Sequence, residues 1–327
     1  MASVWRAIRP MLVLGLVAFV AACKPAPQAA AIPADAVLKV GSQRGSTKSL
    51  LLASHALDGA PYRIEWSEFP AAQHLLEALS AGAVDTGEVG DAPFLFAYAA
   101  GSRIHVAHAY RAENLQGSAV SIIVPKGSTL RTAADLKGKR VATGRGSIGH
   151  YLLLKALEQA KIRPDEVKVV FLDPGQAKAA LASGSVDAWS TWGPYTGIAV
   201  LQDGARILVP GTGLVNSIGF QVAADGAIAN KHAILLDFMT RLSRAQSWAA
   251  AHKEEVAQIL SKETGLPADV ALYTIKSRGD LRPALMDAQL IKDEQQALDL
   301  YRSAGAVSTT RGVDQAFDPS FNAAVTP

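Results

Sequence analysis

The chain of 327 residues is long enough for two modest lobes or one large domain, each able to bury a core. Hydrophobic residues make up 49% of it and charged residues 19%, as in ordinary soluble globular proteins. The formal charge is +3, and it falls to +1, with 30 basic residues against 29 acidic ones, once a leader carrying Arg6 and Arg9 is removed. This balance excludes a basic footprint for nucleic acid and a polybasic membrane patch.

Residues 1–23 have the layout of a lipoprotein signal peptide. Arg6 and Arg9 form a positive region, and an apolar run of about ten residues follows, too short for a spanning helix of about 20. The sequence Val-Ala-Ala-Cys then ends at Cys23, the only cysteine, which we expect to be acylated. A plain secretory leader and a free buried cysteine are the alternatives. We therefore expect an exported, lipid-anchored protein whose mature body has no disulfide.

Residues 24–36 are rich in proline and alanine without hydrophobic periodicity, which is typical of a flexible tether. From Val37 onward, short apolar runs alternate with helical patterns, which predicts α/β layering with a mainly parallel sheet. The predicted strands of this first block are 37–41, 62–66, 84–86, 104–109 and 119–124, and its helices are 45–57, 71–81 and 93–100.

The pattern then restarts and ends in a helical tail. The second block has predicted strands at 140–143, 167–172, 186–189, 206–209 and 218–223, and helices at 147–160 and 176–182. The tail has predicted helices at 233–250, 254–264, 268–274 and 287–303. We expect a first lobe made of residues 37–122 plus 222–327, a second lobe made of residues 123–221, and a ligand cleft between them.

Several segments, in order, resemble one family of proteins. In the first block these are Trp66-Ser-Glu-Phe-Pro70, Leu75-Leu-Glu-Ala-Leu79, Gly82-Ala-Val-Asp-Thr-Gly87, Gly90-Asp-Ala-Pro93 and Phe96-Ala-Tyr-Ala-Ala-Gly101. In the second block they are Asp135-Leu-Lys-Gly-Lys139, Gly146-Ser-Ile-Gly-His150, Leu152-Leu-Leu154, Val186-Asp-Ala-Trp189, Trp192 and Pro194-Tyr195. Over residues 37–320 the chain resembles the periplasmic aliphatic sulfonate- and taurine-binding proteins of ABC transporters, within the nitrate/sulfonate/pyrimidine-precursor group.

The resemblance implies a type II periplasmic binding protein fold, with two α/β lobes joined by two crossovers around a central cleft. It also implies capture of an organic anion that a membrane permease and its ATPase import. The sequence departs from the family pattern at Gly193, at Ser147-Ile148-Gly149, at Glu88 and at Phe94-Leu95. These departures leave the ligand open, so nitrate, a pyrimidine precursor and an aromatic acid stay alternatives to a sulfonate, as does an enzyme on the same scaffold.

Three predicted helix starts could bind the anion, because the first N–H groups of a helix lack intrahelical partners and its dipole favours negative charge. Each start follows a strand, where the crevice ligands of α/β folds bind. An ordinary polar turn or a helix cap is the alternative at each. The candidate ligand residues there are Gln43, Arg44 and Gly45 at the first start, Gly90 and Asp91 at the second, and Arg145, Ser147 and His150 at the third.

Two other parts of the second block add four further candidates. Asp187, Trp189 and Trp192 come at the end of a strand, where an indole could pack against the apolar part of the ligand, although a core tryptophan is nearly as good an interpretation. Asn216 precedes the strand that returns to the first lobe and is a polar candidate close to the hinge.

Other chemistries have weak support in the sequence. Gly144-x-Gly146-x-x-Gly149, followed 24 residues later by Asp173, matches a dinucleotide-binding fingerprint, so an NAD-dependent oxidoreductase is an alternative. The segment opens a second lobe rather than a complete dinucleotide-binding domain, which counts against it. The seven histidines are scattered, and no cysteine pair or nucleophile elbow occurs. We therefore expect no cofactor, no metal and no catalysis.

Overall fold

The computed structural model of the protein describes residues 1–2, 32–43, 46–114, 119–215 and 218–325. The predicted leader with Cys23 and most of the predicted tether lie outside these ranges. The chain from Ile32 onward forms one compact unit. Its strands are β1 (Val37–Gln43), β2 (Arg63–Phe69), β3 (Thr86–Gly90), β4 (Ile104–Glu113), β5 (Val120–Val124), β6 (Arg140–Thr143), β7 (Lys168–Phe171), β8 (Ala188–Trp192), β9 (Arg206–Pro210), β10 (Ile218–Ala224) and β11 (Asp280–Ala284). Its helices are α1 (Thr47–Ala53), α2 (Ala72–Ser80), α3 (Asp91–Ala99), α4 (Ile148–Gln159), α5 (Pro174–Ala182), α6 (Tyr195–Leu201), α7 (Asp225–Ala249), α8 (Lys253–Thr264), α9 (Ala268–Arg278) and α10 (Ala288–Ser303).

A six-stranded sheet with the order β11-β4-β10-β3-β1-β2 forms the first lobe. β1 runs parallel to both β2 and β3, as expected for strands joined by helices. Its side chains alternate between the faces of the sheet, and Leu38 and Val40 are completely buried in the core. This packing fixes the register of β1, because a slip by one residue would expose both side chains.

A five-stranded sheet with the order β7-β6-β8-β5-β9 forms the second lobe. β6 is parallel to β7 and β8, whereas β5 is antiparallel to β8 and β9. In the first sheet, β10 is likewise antiparallel to β3 and β4. Four of the six strands of the first sheet and four of the five strands of the second nevertheless run in one direction, so the expectation of mainly parallel sheets is confirmed. The exceptions are the edge strand β11 and the strand that follows each crossover, β5 and β10.

The chain crosses from the first sheet to the second between β4 and β5 and returns between β9 and β10. The boundaries expected from the sequence, after residues 122 and 221, fall inside β5 and β10. If each strand is assigned to the lobe of its sheet, the two lobe boundaries lie a few residues earlier in the chain than the sequence analysis placed them.

The helical tail after β10 contains a strand that the sequence analysis missed. β11 pairs only with β4, at the edge of the first sheet, with Leu281 opposite Ala112. It carries Pro283, and an edge position tolerates proline because one side of the strand forms no ladder. The strand is short and lacks alternating hydrophobic residues, so its sequence gave no signal of period two.

Helix α4 connects the cores of both lobes. Four of its apolar side chains pack into the second-lobe core, and these are Leu152, Leu153, Ala156 and Leu157. Tyr151 and Leu154, on another face of the same helix, pack into the first-lobe core. Among the described residues, no helix is both long enough and apolar enough to cross a membrane.

Candidate functional site

A cavity of about 240 Å³ lies between the two lobes. It opens at the ends of several strands, since Gln43 ends β1, Gly90 ends β3 and Trp192 ends β8. This is the expected place for a ligand in an α/β fold. The lining residues from both lobes include five of the predicted ligand residues, namely Gln43, Gly90, Asp91, Ser147 and Trp192.

Most of the cavity wall is apolar. Both lobes contribute to it, and the apolar lining residues are Ala72, Pro93, Ala112, Ala119, Val120, Ile148, Trp192, Val215, Ile218 and Leu281. Trp192 is held edge-on against the ring of Tyr195, with the ring centroids 5.9 Å apart. A ligand in this cavity therefore packs most of its surface against hydrocarbon and indole, and few groups can bind its polar part.

Sequence reasoning missed four polar lining residues, Gln73, Tyr110, Thr274 and Arg278, and Arg278 is the charged one. It ends α9, and its side chain reaches the cavity wall. Its Nε is buried and has no hydrogen-bond partner among the described residues. A guanidinium that carries an unused donor inside an apolar cavity can bind an anion. The one sequence signal was an arginine followed by glycine between a helix and the edge strand β11.

Glu88 organises the wall beside Arg278. Its carboxylate is buried and accepts hydrogen bonds from the hydroxyls of Thr47 and Tyr110, each 2.5 Å away. Gln43 donates its side-chain amide to the backbone carbonyl of Glu88 at 2.9 Å. Burial, with a further contribution from the charge of Glu88, raises the pKa of Tyr110 well above its usual range. Tyr110 thus lines the cavity as a neutral phenol.

Asp91 is the first residue of α3, so it does not occupy the cap position that the sequence suggested. Gly90 occupies that position, because the helix begins at Asp91, two residues before the predicted start at residue 93. Oδ1 of Asp91 accepts the N–H of Ala92 at 2.6 Å. Burial raises the pKa of Asp91 to about 7, although backbone N–H groups partly oppose the shift. A carboxyl group at the cavity wall therefore changes its protonation near neutral pH.

Ser147 caps α4, and its polar groups are already hydrogen-bonded. Its Oγ accepts the N–H of His150 at 3.1 Å and donates to the carbonyl of Gly144 at 2.7 Å, and its own N–H also donates to Gly144. Ser147 lines the cavity with its hydroxyl and N–H bound to neighbouring backbone groups, and its contact with a ligand stays a prediction. The N–H of Ile148, a residue that lines the cavity, lies in the first turn of α4 and lacks an intrahelical acceptor.

His150 and Arg145 do not line the cavity. The ring of His150 packs between Phe171 and Tyr301, and its Nδ1 accepts the N–H of Gly146 at 3.3 Å. Burial, assisted by the nearby charge of Arg145, lowers the pKa of His150 to about 4. The guanidinium of Arg145 lies 3.8 Å from the centre of the Phe171 ring, at the rim of the cleft. Both residues stabilise the turn before α4 instead of contacting the cavity.

β8 ends further along the chain than predicted, which places Asp187 and Trp189 away from the cavity. It spans Ala188–Trp192, so Asp187 precedes the strand, at the end away from the cavity, where it pairs with Arg140 at 2.9 Å. Trp189 is 1% exposed and belongs to the second-lobe core. Only Trp192 reaches the carboxyl end of the strand and the cavity.

Arg44, Gly45 and Asn216 lie outside the described residues. They remain predictions.

The glycines of the dinucleotide-like pattern are explained by packing. Gly146 has a φ of +67°, and a Cβ there would lie 2.5 Å from the ring of Phe96. A Cβ on Gly149 would lie 2.6 Å from the carbonyl oxygen of Ser190 on β8. Asp173 occupies the cap position of α5. Within the described ranges, no group of three or more histidine, cysteine or acidic side chains could hold a metal ion.

Comparisons with known proteins agree with this geometry. The sequence model of the family described as NMT1/THI5 like matches residues 68–256. A relative in Escherichia coli (strain K12), named an aliphatic sulfonates-binding protein, is 36% identical over 267 residues, which cover 81% of this chain and 83% of the relative. The alkanesulfonate-binding protein SsuA from Xanthomonas axonopodis pv. citri, solved with bound MOPS, has a TM-score of 0.80 and 34% identity over 88% of this chain and 99% of that one. The desulfurization enzyme DSZB, with a TM-score of 0.64 and 19% identity over 88% of this chain and 98% of that one, shares the fold alone.

Proposed function

Because this chain belongs to the NMT1/THI5-like family and has the type II periplasmic binding protein fold, we propose that it is the substrate-binding component of an ABC importer. It captures an aliphatic sulfonate or a similar organic anion between its lobes and delivers the anion to a membrane permease and its ATPase. The names of its relatives in Escherichia coli and Xanthomonas support this ligand class.

Arg278 is the observation that supports this function best, because it is the one cation among the described residues of the cavity wall and its buried Nε has no hydrogen-bond partner among them. A buried N–H without a partner costs free energy, and a bound sulfonate oxygen would accept it. A sulfonate is a permanent anion whose oxygens only accept hydrogen bonds, so it also suits the free N–H groups at the start of α4. The apolar wall then packs the hydrocarbon part of the ligand.

The same site supports binding without catalysis. The hydroxyl of Ser147 is held by the carbonyl of Gly144, and the imidazole of His150 is buried away from the cavity, so neither is placed to act as nucleophile or base. Relatives that are 36% and 34% identical are named as binding proteins, and no observation in the cavity favours a reaction.

The anchor completes the proposal. Acylation of Cys23 would hold the protein at the periplasmic face of a membrane, near its permease, and the proline-rich segment after it would let the two lobes move on a tether. The leader layout and the periplasmic relatives support export, while the single cysteine at the end of the leader supports acylation.

The test is calorimetric titration of the purified protein with hexanesulfonate, supported by thermal shift. A ligand at 100 times its dissociation constant stabilises the folded state by about 2.7 kcal/mol. Arg278→Met should weaken binding by about 10- to 100-fold, because a charge-assisted hydrogen bond contributes about 1.5–3 kcal/mol. Without ligand the variant should be as stable as the wild type or more so, since methionine leaves no unpartnered N–H in the cavity.

Arg282→Met is the matched control, because this exposed arginine lies on the nearby β11 outside the cavity. It should bind hexanesulfonate with wild-type affinity. Wild-type affinity in Arg278→Met would refute the site. Stabilisation by nitrate, benzoate or a hydroxymethylpyrimidine, without any by sulfonates, would replace the proposed ligand.

A further inference from the structure

Asp91 is an unusual neighbour for a bound anion. Its side chain lines the cavity and is only 2% exposed. Apart from the backbone N–H groups at its own helix start, it has no hydrogen-bond partner and no ion pair within the described part of the chain. An ionised carboxylate there would be a desolvated negative charge in the cavity that also receives the ligand, and the two charges would repel each other.

The groups that face Asp91 do not supply a compensating charge at close range. Three phenols lie near the carboxyl group of Asp91, and they are Tyr110 on β4, Tyr151 on α4 and Tyr301 on α10. Burial raises the pKa of each phenol, and the charge of Asp91 raises it further. Glu88 on β3 is occupied by Thr47 and Tyr110. The one cation among the described residues of the cavity wall is Arg278 on α9, and no ion pair joins it to Asp91.

A second buried carboxyl group stands behind Asp91. Glu294 on α10 is 0% exposed, and neither of its oxygens has a hydrogen-bond partner among the described residues. Burial raises its pKa well above the usual range, the charges of Asp91 and Asp293 add to this, and Arg111 opposes it. Ionisation of one carboxyl group opposes that of the other, so the charge of Asp91, the member that faces the cavity, favours the neutral form of Glu294.

We propose that Asp91 binds the anion as a neutral carboxylic acid whose O–H donates to the ligand, so that capture of the anion is coupled to protonation of this side chain. The inference rests on the proposed function and deepens it. A neutral acid adds a donor to a site that recognises an acceptor-only ligand, whereas its carboxylate adds a like charge. Asp91 thus determines which protonation state of the protein can bind.

The direction of the pH dependence follows from linkage. Free Asp91 has a pKa of about 7, raised by burial, and the anion raises it further by binding only the protonated form. The sulfonate itself stays ionised throughout. Affinity is therefore constant below about pH 6 and falls tenfold for each pH unit above about 7, which makes binding about 100-fold weaker at pH 9.

Calorimetric titration of the wild-type protein with hexanesulfonate from pH 6 to pH 9 tests this directly. At pH 8, heats measured in two buffers of different ionisation enthalpy should show uptake of about one proton for each anion bound. Asp91→Asn should reduce the affinity ratio between pH 6 and pH 9 from about 100 to about 1, because an amide cannot ionise. Glu294→Gln should keep the wild-type slope, since Glu294 does not line the cavity.

The outcomes separate the two proposals. Wild-type binding with a flat affinity and no proton uptake would overturn the role of Asp91 while leaving anion capture intact. A slope lost in Glu294→Gln but kept in Asp91→Asn would also overturn the assignment. Failure of the wild type to bind any sulfonate at any pH would refute the proposed function itself. If Asp91→Asn does not fold, proton uptake by the wild type still decides.

Discussion

Because Gly219 has no side chain, Tyr110 can pack against it and form part of the cavity wall. A methyl group at Gly219 should displace Tyr110 from this position. Gly219 on β10 is the direct partner of Tyr110 on β4. A Cβ at Gly219 would overlap the phenol oxygen and Cζ of Tyr110. The tyrosine can yield only by leaving its hydrogen bond to Oε1 of Glu88. Gly219→Ala should therefore damage stability and the site together.

The magnitude follows from two costs. Overpacking a tight contact destabilises a protein by about 1–3 kcal/mol, and leaving a buried acceptor unpaired costs about 1–3 kcal/mol. A combined loss of about 3 kcal/mol should lower the melting temperature by about 5 °C, because a chain of this size unfolds with an entropy of about 0.6 kcal/mol/K. Binding of hexanesulfonate should weaken as well, since Tyr110 lines the cavity.

Differential scanning calorimetry and urea unfolding measure the stability, and calorimetric titration measures the binding. Gly226→Ala is the matched control, because a Cβ at Gly226, in the first turn of α7, would meet nothing within 4 Å. Alanine in a helix should leave the stability unchanged or raise it by up to about 1 kcal/mol. A Gly219→Ala protein that melts within a degree of the wild type and binds equally well would refute the argument that this contact is rigid.

Two further predictions concern His150 and Cys23. Burial lowers the pKa of His150 from 6.5 to about 4, so its contribution to stability is complete above pH 6.5 and is lost as the pH falls through 4. In urea titrations, the stability advantage of the wild type over His150→Asn should shrink by about 3 kcal/mol between pH 6.5 and pH 4, and a constant difference would contradict the burial argument. Cys23→Ser should release the protein from membrane fractions while leaving the affinity for hexanesulfonate unchanged; continued membrane attachment would rule out acylation at this residue.

The sequence predicted those parts of the site that depend on local pattern. The first strand ends at Gln43, and helices begin at Asp91 and Ile148 after the next strands of each lobe, so their chain order alone placed these residues beside the cleft. Because hydrophobic runs and glycine turns are local signals, they predicted the positions of these elements to within a few residues.

The remaining parts of the site depend on contacts between distant segments. β8 lies a few residues later in the chain than the predicted strand. Asp187 therefore lies at the end of the strand away from the cavity, and Trp189 lies in the core. Arg278 reaches the cavity because α9 and β11 return to the first sheet after the second lobe is complete, which no local pattern encodes. Likewise, the hydroxyl of Ser147 is unavailable because of the turn that it caps, although the residue lies where it was expected.

The contacts between the lobes are stronger beside α4 than at the rim of the cavity. This difference indicates the side from which a ligand enters. On one side, α4 inserts Tyr151 into the first-lobe core, and Tyr301, whose ring centroid lies 5.7 Å from that of Tyr151, is completely buried. At the rim, Gln73 donates to the carbonyl of Arg145 at 3.0 Å and Tyr195 donates to that of Pro70 at 3.2 Å, both in exposed positions. Two such hydrogen bonds contribute about 1 kcal/mol each, whereas burial of each aromatic ring contributes about 2 kcal/mol or more. Opening therefore costs least at the rim, and an anion that contacts Arg278 in one lobe and the start of α4 in the other favours the arrangement in which this rim is closed.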